Sequence, residues 1–151
     1  MTYNKMRHLK LLKRFLDFKN QGKNIYGLYL EKRDEYMELK EYKCALYHHI
    51  FWKSKEQFVL LMENYVQNSI DMEEFETAFS QLWWKTMEED EALQMDLKRV
   101  ENLQLDPKSD GFGSFITAVF RQFEVLEDEE CTEQEVKNYV QNTLREIQPY
   151  L

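Results

Sequence analysis

Residues 54–84 read SKEQFVLLMENYVQNSIDMEEFETAFSQLWW, and their spacing predicts two amphipathic helices joined by a short polar turn. Phe58, Leu61, Met62 and Tyr65 recur at i, i+3, i+4 and i+7, which places them on one face of a helix. Ser54 reads as its N-cap, with Gln57 three residues on reaching back. Asn68-Ser69-Ile70 is the turn. Asp71 reads as the next N-cap with Glu74 at the third helical position, so side chains satisfy backbone donors that a helix start otherwise leaves unpaired. Ile70 and Phe75 have the spacing of a hydrophobic staple, and Phe75, Phe79, Leu82 and Trp83 carry the apolar stripe onward. Helices linked this tightly lie antiparallel.

Working outward, a chain of 151 residues has the length of one domain with a real core. Aromatic residues make up 15% and supply that core in large pieces, while 4 Gly and 2 Pro are too few for a turn-rich β fold. The expected fold class is therefore all-α: an antiparallel helical bundle over residues 54–151, with residues 1–53 as a basic N-terminal helical extension or as helices packed on the main domain. No apolar run approaches the roughly 18 residues of a membrane span. Cys44 and Cys131 form neither a disulfide framework nor a CxxC pair, which suggests a reducing, intracellular setting.

The net charge of −8 conceals a division. Residues 1–55 hold 13 Lys/Arg against 6 Asp/Glu, a net of +7, and residues 56–151 hold 7 against 22, a net of −15. Within residues 1–23, Lys5, Arg7, Lys10, Lys13 and Arg14 accompany a leucine-rich stripe. That segment reads as a docked helix with a basic outer face, as an RNA-contacting helix, or as a helix on an anionic membrane surface. Asn20-Gln21-Gly22 ends it. Residues 25–50 fit an irregular helix better than two short strands about Arg33-Asp34; their tyrosines serve packing or an interface. After the hairpin, a break is expected in the acidic run Glu88–Glu91, followed by a further helix through Leu93, Leu97 and Val100. Residues 105–111 form a loop. Phe112, Phe115, Ile116, Val119, Phe120 and Phe123 mark the most buried helix. Thr132 with Glu135 caps the last, which runs through Val136, Val140, Leu144 and Ile147 to a stop at Pro149.

Chemistry-bearing patterns are sparse. There is no GxGxxG or GxxxxGK[ST] motif to cradle a phosphate. The loop Asp106-Pro-Lys-Ser-Asp-Gly111 begins like a calcium loop, but Lys108 stands at the third ligand position and Thr117 replaces the closing Glu. Cys44 and His48 are one helical turn apart, without a second pair to complete a metal site. Glu73, Glu74 and Glu76 are explained by the dipole of the helix they begin. The expectation is a protein without catalysis, metal or cofactor.

The segment QNSIDMEEFETAFSQLW resembles the second-helix entry of the colicin D immunity-protein-like family. SFITAVFRQFE, the acidic stretch after it and TEQEVKNYVQNTLREI are similar to that family's buried helix, acidic bend and final helix, so the resemblance spans roughly residues 55–148. It implies a small helical bundle whose carboxylates fill the basic tRNA-binding cleft of a nuclease toxin. Phe123-Glu124 matches the family's Phe-Glu; Glu127 and Asp128 fall in the acidic bend, continued by Glu129 and Glu130. Arg121 departs from the pattern, standing where the family would place an acid. Bacterial cytoplasm or plastid stroma is the implied location, since plastid and cyanobacterial chains belong to the family. The alternative reading is an accessory or scaffold protein, RNA-associated through residues 1–23.

Overall fold

The computed structural model describes residues 2–151 and is all-α. Its helices are α1 (Lys5–Asn20), α2 (Ile25–Glu31), α3 (Arg33–Lys53), α4 (Lys55–Val66), α5 (Met72–Gln94), α6 (Leu97–Asn102), α7 (Phe112–Glu127) and α8 (Glu133–Glu146). Short 3-10 turns lie at Pro107–Ser109 and Gln148–Tyr150. Among the described residues no helix is long and apolar enough to cross a membrane.

The hairpin forms as its spacing requires. Phe58, Met62 and Tyr65 of α4 are buried with Phe75, Phe79 and Trp83 of α5. Tyr65 stacks on Phe75 at 4.4 Å and Phe58 meets Phe79 at 5.2 Å, which fixes the two helices antiparallel. Asp71 caps α5, its carboxylate accepting the Glu74 N–H at 2.8 Å. Asn68 adopts φ 61, and the Ser69 and Asn68 N–H groups return to the carbonyls of Asn64 and Tyr65, so the last turn of α4 is closed before the chain reverses. α7 and α8 complete this core with Phe112, Ile116, Val119, Phe123, Val136, Val140 and Ile147.

Two expectations are corrected. Ser54 stands at the N-cap position before Lys55 but makes no side-chain cap; its own N–H bonds back to the Phe51 carbonyl. Ser54 has φ −98 and ψ 12 rather than the extended backbone from which a capping side chain reaches forward, and its carbonyl takes the Gln57 and Phe58 N–H groups instead. The acidic run Glu88–Glu91 does not break α5, which continues to Gln94. Asp90 is buried and accepts a hydrogen bond from the Gln94 side-chain amide at 2.9 Å, so one of the run's four acids faces inward. The break comes at Met95-Asp96, where Asp96 caps α6 by accepting the Arg99 N–H.

Residues 25–50 are helical. Lys32, with φ −140 and ψ 61, divides the short α2 from α3. α3 is buried on two faces. Leu39, Tyr42, Leu46 and Ile50 join Leu11, Leu12 and Phe15 of α1, Leu28 of α2, Leu93 of α5 and Val100 of α6 in a second core, while Phe51 enters the first. α3 and α7 approach closely at Gly113. The Tyr47 hydroxyl donates to the Gly113 carbonyl at 3.0 Å, and the Gly113 N–H donates to His48 Nδ1 at 3.2 Å. A Cβ on Gly113 would lie 2.6 Å from Tyr47 Cε1.

α1 is held by polar contacts as well as by its apolar face. The Arg7 guanidinium grips Glu38 of α3 at 3.0 Å, Arg14 pairs with Glu35, and the Lys5 ammonium donates to the Glu101 carbonyl at 3.0 Å. His8 is fully buried beneath them, hydrogen-bonded to the Tyr3 hydroxyl at 2.7 Å and stacked on Tyr42.

Two tests of this packing follow from the geometry. Gly113→Ala is expected to destabilise the fold by about 1–3 kcal/mol through overpacking, read as a lower urea midpoint; an unchanged midpoint would mean that α3 and α7 separate freely. The second concerns acid. Burial, with Lys43 nearby, depresses the His8 pKa from 6.5 to about 4, and burial moves His48 and His49 in the same direction. A depressed histidine lets the unfolded chain take up protons first, so stability is full above pH 6.5 and falls as pH drops toward 4, by about 3 kcal/mol for His8. Asp90, raised by burial, acts in the opposite sense. Melting temperature against pH should fall less steeply over this window in His8→Gln, and equal slopes would refute the assignment.

Candidate functional site

The end of the bundle where α4 passes to α5 and α7 passes to α8 gathers most of the carboxylates singled out in the sequence. The two turns are neighbours. The Tyr65 hydroxyl of α4 donates to the Glu133 carbonyl at the start of α8 at 3.3 Å, and the Lys137 ammonium bonds the Asn68 side-chain carbonyl while lying 5.0 Å over the Tyr65 ring. Between them runs an open groove of about 480 Å³, whose walls include Asp71, Glu74, Glu133 and Lys137.

The α7–α8 bend forms one side of this end. Glu124 and Glu127 lie in the last turn of α7, Asp128 is its C-cap, and Glu129 and Glu130 continue the turn. All five side chains are exposed, and none pairs with a basic side chain among the described residues. The turn closes as the α4 turn does: the Glu130 and Glu129 N–H groups bond the carbonyls of Val125 and Leu126, each at 3.0 Å, with Glu129 at φ 59. Thr132 then caps α8 by accepting the Glu135 N–H at 3.2 Å.

The electrostatics of the two turns differ. Asp71, Glu73 and Glu74 at the start of α5, and Glu133 and Glu135 at the start of α8, sit where helix dipoles favour negative charge. Glu124, Glu127 and Asp128 sit at the C-terminal end of α7, where the dipole opposes them, and no basic residue occupies that last turn. Each such placement costs about 0.3–1 kcal/mol. Glu129 adds a left-handed backbone that glycine adopts far more readily. Folding alone gives no reason for this arrangement.

The other candidate cluster, on α1, is largely committed to the fold. Lys5, Arg7 and Arg14 make the internal contacts described above, leaving Lys10 and Lys13 exposed on the outer face. The structure therefore does not gather the five basic residues on one open surface.

Cys44 and His48 also come together, in a cleft of about 870 Å³ between the chain entry, α3 and residues 103–110. Cys44 Sγ lies 3.5 Å from His48 Nε2. Because His48 Nδ1 accepts the Gly113 N–H, the neutral ring carries its proton on Nε2 and cannot also take one from the thiol there. Burial raises the Cys44 pKa and lowers that of His48. A nucleophile needs the reverse arrangement. Asp106 of the calcium-like loop is occupied as a turn cap, its carboxylate accepting the Lys108 N–H at 2.9 Å. Among the described residues, no group of three or more His, Cys, Asp or Glu side chains is placed to hold a metal ion.

Comparison with protein-family models, curated proteins and solved structures finds no match to this chain. The geometry carries the functional reading.

The sequence marks the 124–130 run plainly. It gives no sign that the α5 cap residues belong to the same end, because that adjacency comes from α8 packing on α4. Glu129→Gly should raise stability by about 1 kcal/mol by relieving the left-handed conformation. Thermal unfolding beside Asn68→Gly tests this, with a smaller gain expected at Asn68 because asparagine tolerates αL better than glutamate. Destabilisation by Glu129→Gly would overturn it.

Proposed function

We propose that this chain is a non-catalytic protein-binding module of the colicin D immunity type. In this reading the acidic end of the bundle blocks the basic, tRNA-binding cleft of a nuclease. The observation that carries the reading is the α7–α8 bend. Glu124, Glu127, Asp128, Glu129 and Glu130 are exposed, unpaired and placed against a helix dipole. Charges that burden the fold in isolation are relieved when a cationic surface covers them, and a local conflict of this kind is a mark of a functional site.

A cleft that holds RNA presents Lys, Arg and His to phosphates, and a fixed set of carboxylates occupies it as a phosphate surrogate through charge-assisted hydrogen bonds. Asp71, Glu74 and Glu133, which line the groove between the α4–α5 turn and the start of α8, widen the acidic surface. The alternative, RNA association through residues 1–23, draws on fewer groups, since three of its five basic side chains are engaged within the fold.

The deciding experiment is a tagged pull-down from the native source at low and high salt. Captured proteins are identified and assayed for tRNA cleavage with and without the chain. The expected partner is a basic ribonuclease that is inhibited when bound and released by salt. Glu124→Lys with Asp128→Lys should fold at least as stably, since the new charges suit the helix terminus, yet lose capture and inhibition. Equal capture by the double variant, or recovery of RNA through residues 1–23 instead, would overturn the proposal.

A further inference from the structure

Two turns of α7 before the acidic bend, an indole stands on the surface. Trp84 is 58% exposed, the largest aromatic side chain so placed among the described residues. It is held rather than loose. Its ring meets Trp83 edge-on at 4.9 Å and Phe120 of α7 edge-on at 6.1 Å. Trp83 is itself stacked on Phe120 at 4.0 Å, and its indole N–H donates to Thr117 Oγ1 at 3.0 Å. The hydroxyl of Tyr47 bonds the same Thr117, tying this platform to α3. A buttressed, exposed tryptophan loses little conformational freedom when covered, and such residues dominate binding energy at interfaces.

Its surroundings carry charge of one predominant sign. Glu88 follows Trp84 by one turn of α5, and Glu124 follows Phe120 by one turn of α7; both are exposed. Phe75 and Phe79 meet Phe123 while Trp83 meets Phe120, so α5 and α7 run antiparallel. The two glutamates therefore lie on opposite sides of the indole along the helix pair. Glu91 and Glu127 extend the two arms, against Lys85 and Arg121 as the exposed basic residues beside them. Phe120 and Glu127 are seven residues apart, about 10 Å along the helix, so the indole and the bend fit beneath one interface of ordinary size.

We infer that Trp84 is the anchor of the docking surface and receives an arginine from a basic protein partner. The guanidinium stacks on the indole while Glu88 or Glu124 accepts its N–H groups. A planar guanidinium satisfies both contacts at once; an ammonium pairs with the carboxylate but stacks less well. A polyphosphate backbone is repelled by the flanking glutamates. This assignment rests on the reading of the acidic end as a partner-binding surface and adds to it the residue that confers preference.

The test uses nona-arginine and nona-lysine peptides titrated into ¹⁵N-labelled protein, with the Trp84 indole N–H resonance followed. Nona-arginine should shift that resonance and bind more tightly than nona-lysine. Trp84→Ala should weaken nona-arginine binding about fivefold while leaving nona-lysine nearly unaffected. Trp84→Met, which keeps an apolar contact with Phe120, controls for any loss of fold and should show the same loss of arginine preference. Should nona-arginine bind equally well to both Trp84 variants, with Glu124→Lys/Asp128→Lys still abolishing binding, the anchor is refuted and the acidic end stands. Absence of binding to the unaltered protein would refute both. A Trp84 shift that depends on protein concentration without peptide would assign the face to a second copy of this chain, overturning the arginine proposal.

Discussion

α3 buries two faces, and the rest of the molecule depends on it. One side, through Leu39, Tyr42, Leu46 and Ile50, closes the core shared with α1, α2 and α6; Phe51 and the neighbouring Tyr47 face the core of α4, α5, α7 and α8. Gly113 sets the distance on that second side, because only a residue without a Cβ lets α7 approach Tyr47 and His48. Neither core can loosen without exposing a face of the same helix, so the basic and acidic halves of the chain are joined by packing along a shared element.

That constraint also explains which elements could be read in advance. α4, α5, α7 and α8 each bury one stripe, and their stripes and caps, Asp71 and Thr132, are legible in the sequence. α3 has apolar residues around much of its circumference, so no single stripe emerges and residues 25–50 compete with a strand reading. The full length of α5 was hidden for a related reason. A run of four acids looks like a solvated break until tertiary structure supplies Gln94 as a partner for Asp90. Ser54 has the right residue type for a cap, but its backbone is not extended there, so the hydroxyl does not reach the following N–H groups.

The candidate site divides in the same way. The acids of the bend fall within seven residues of sequence and are visible, whereas Asp71 and Glu74 join them only because α8 lies against α4. The basic residues of α1 show the converse. They are conspicuous in sequence, yet Arg7 and Arg14 find carboxylates on α3, and Lys5 finds a backbone carbonyl near the end of α6. A cluster of charges in a sequence shows where charge is concentrated, and the fold determines how much of it reaches solvent.

The separation of charge has a consequence before any contact is made. A molecule carrying an excess of +7 in its first 55 residues and −15 in the remainder, with α1 and the α7–α8 bend on different elements, has a permanent electric moment in addition to its net charge. In the field of another charged body it experiences a torque as well as a force. It therefore tends to rotate its acidic end toward positive potential while still diffusing, over separations comparable to the Debye length of about 8 Å at physiological ionic strength. Much of the orientational search is then completed before the surfaces touch, and added salt slows encounter by removing that alignment along with the attraction.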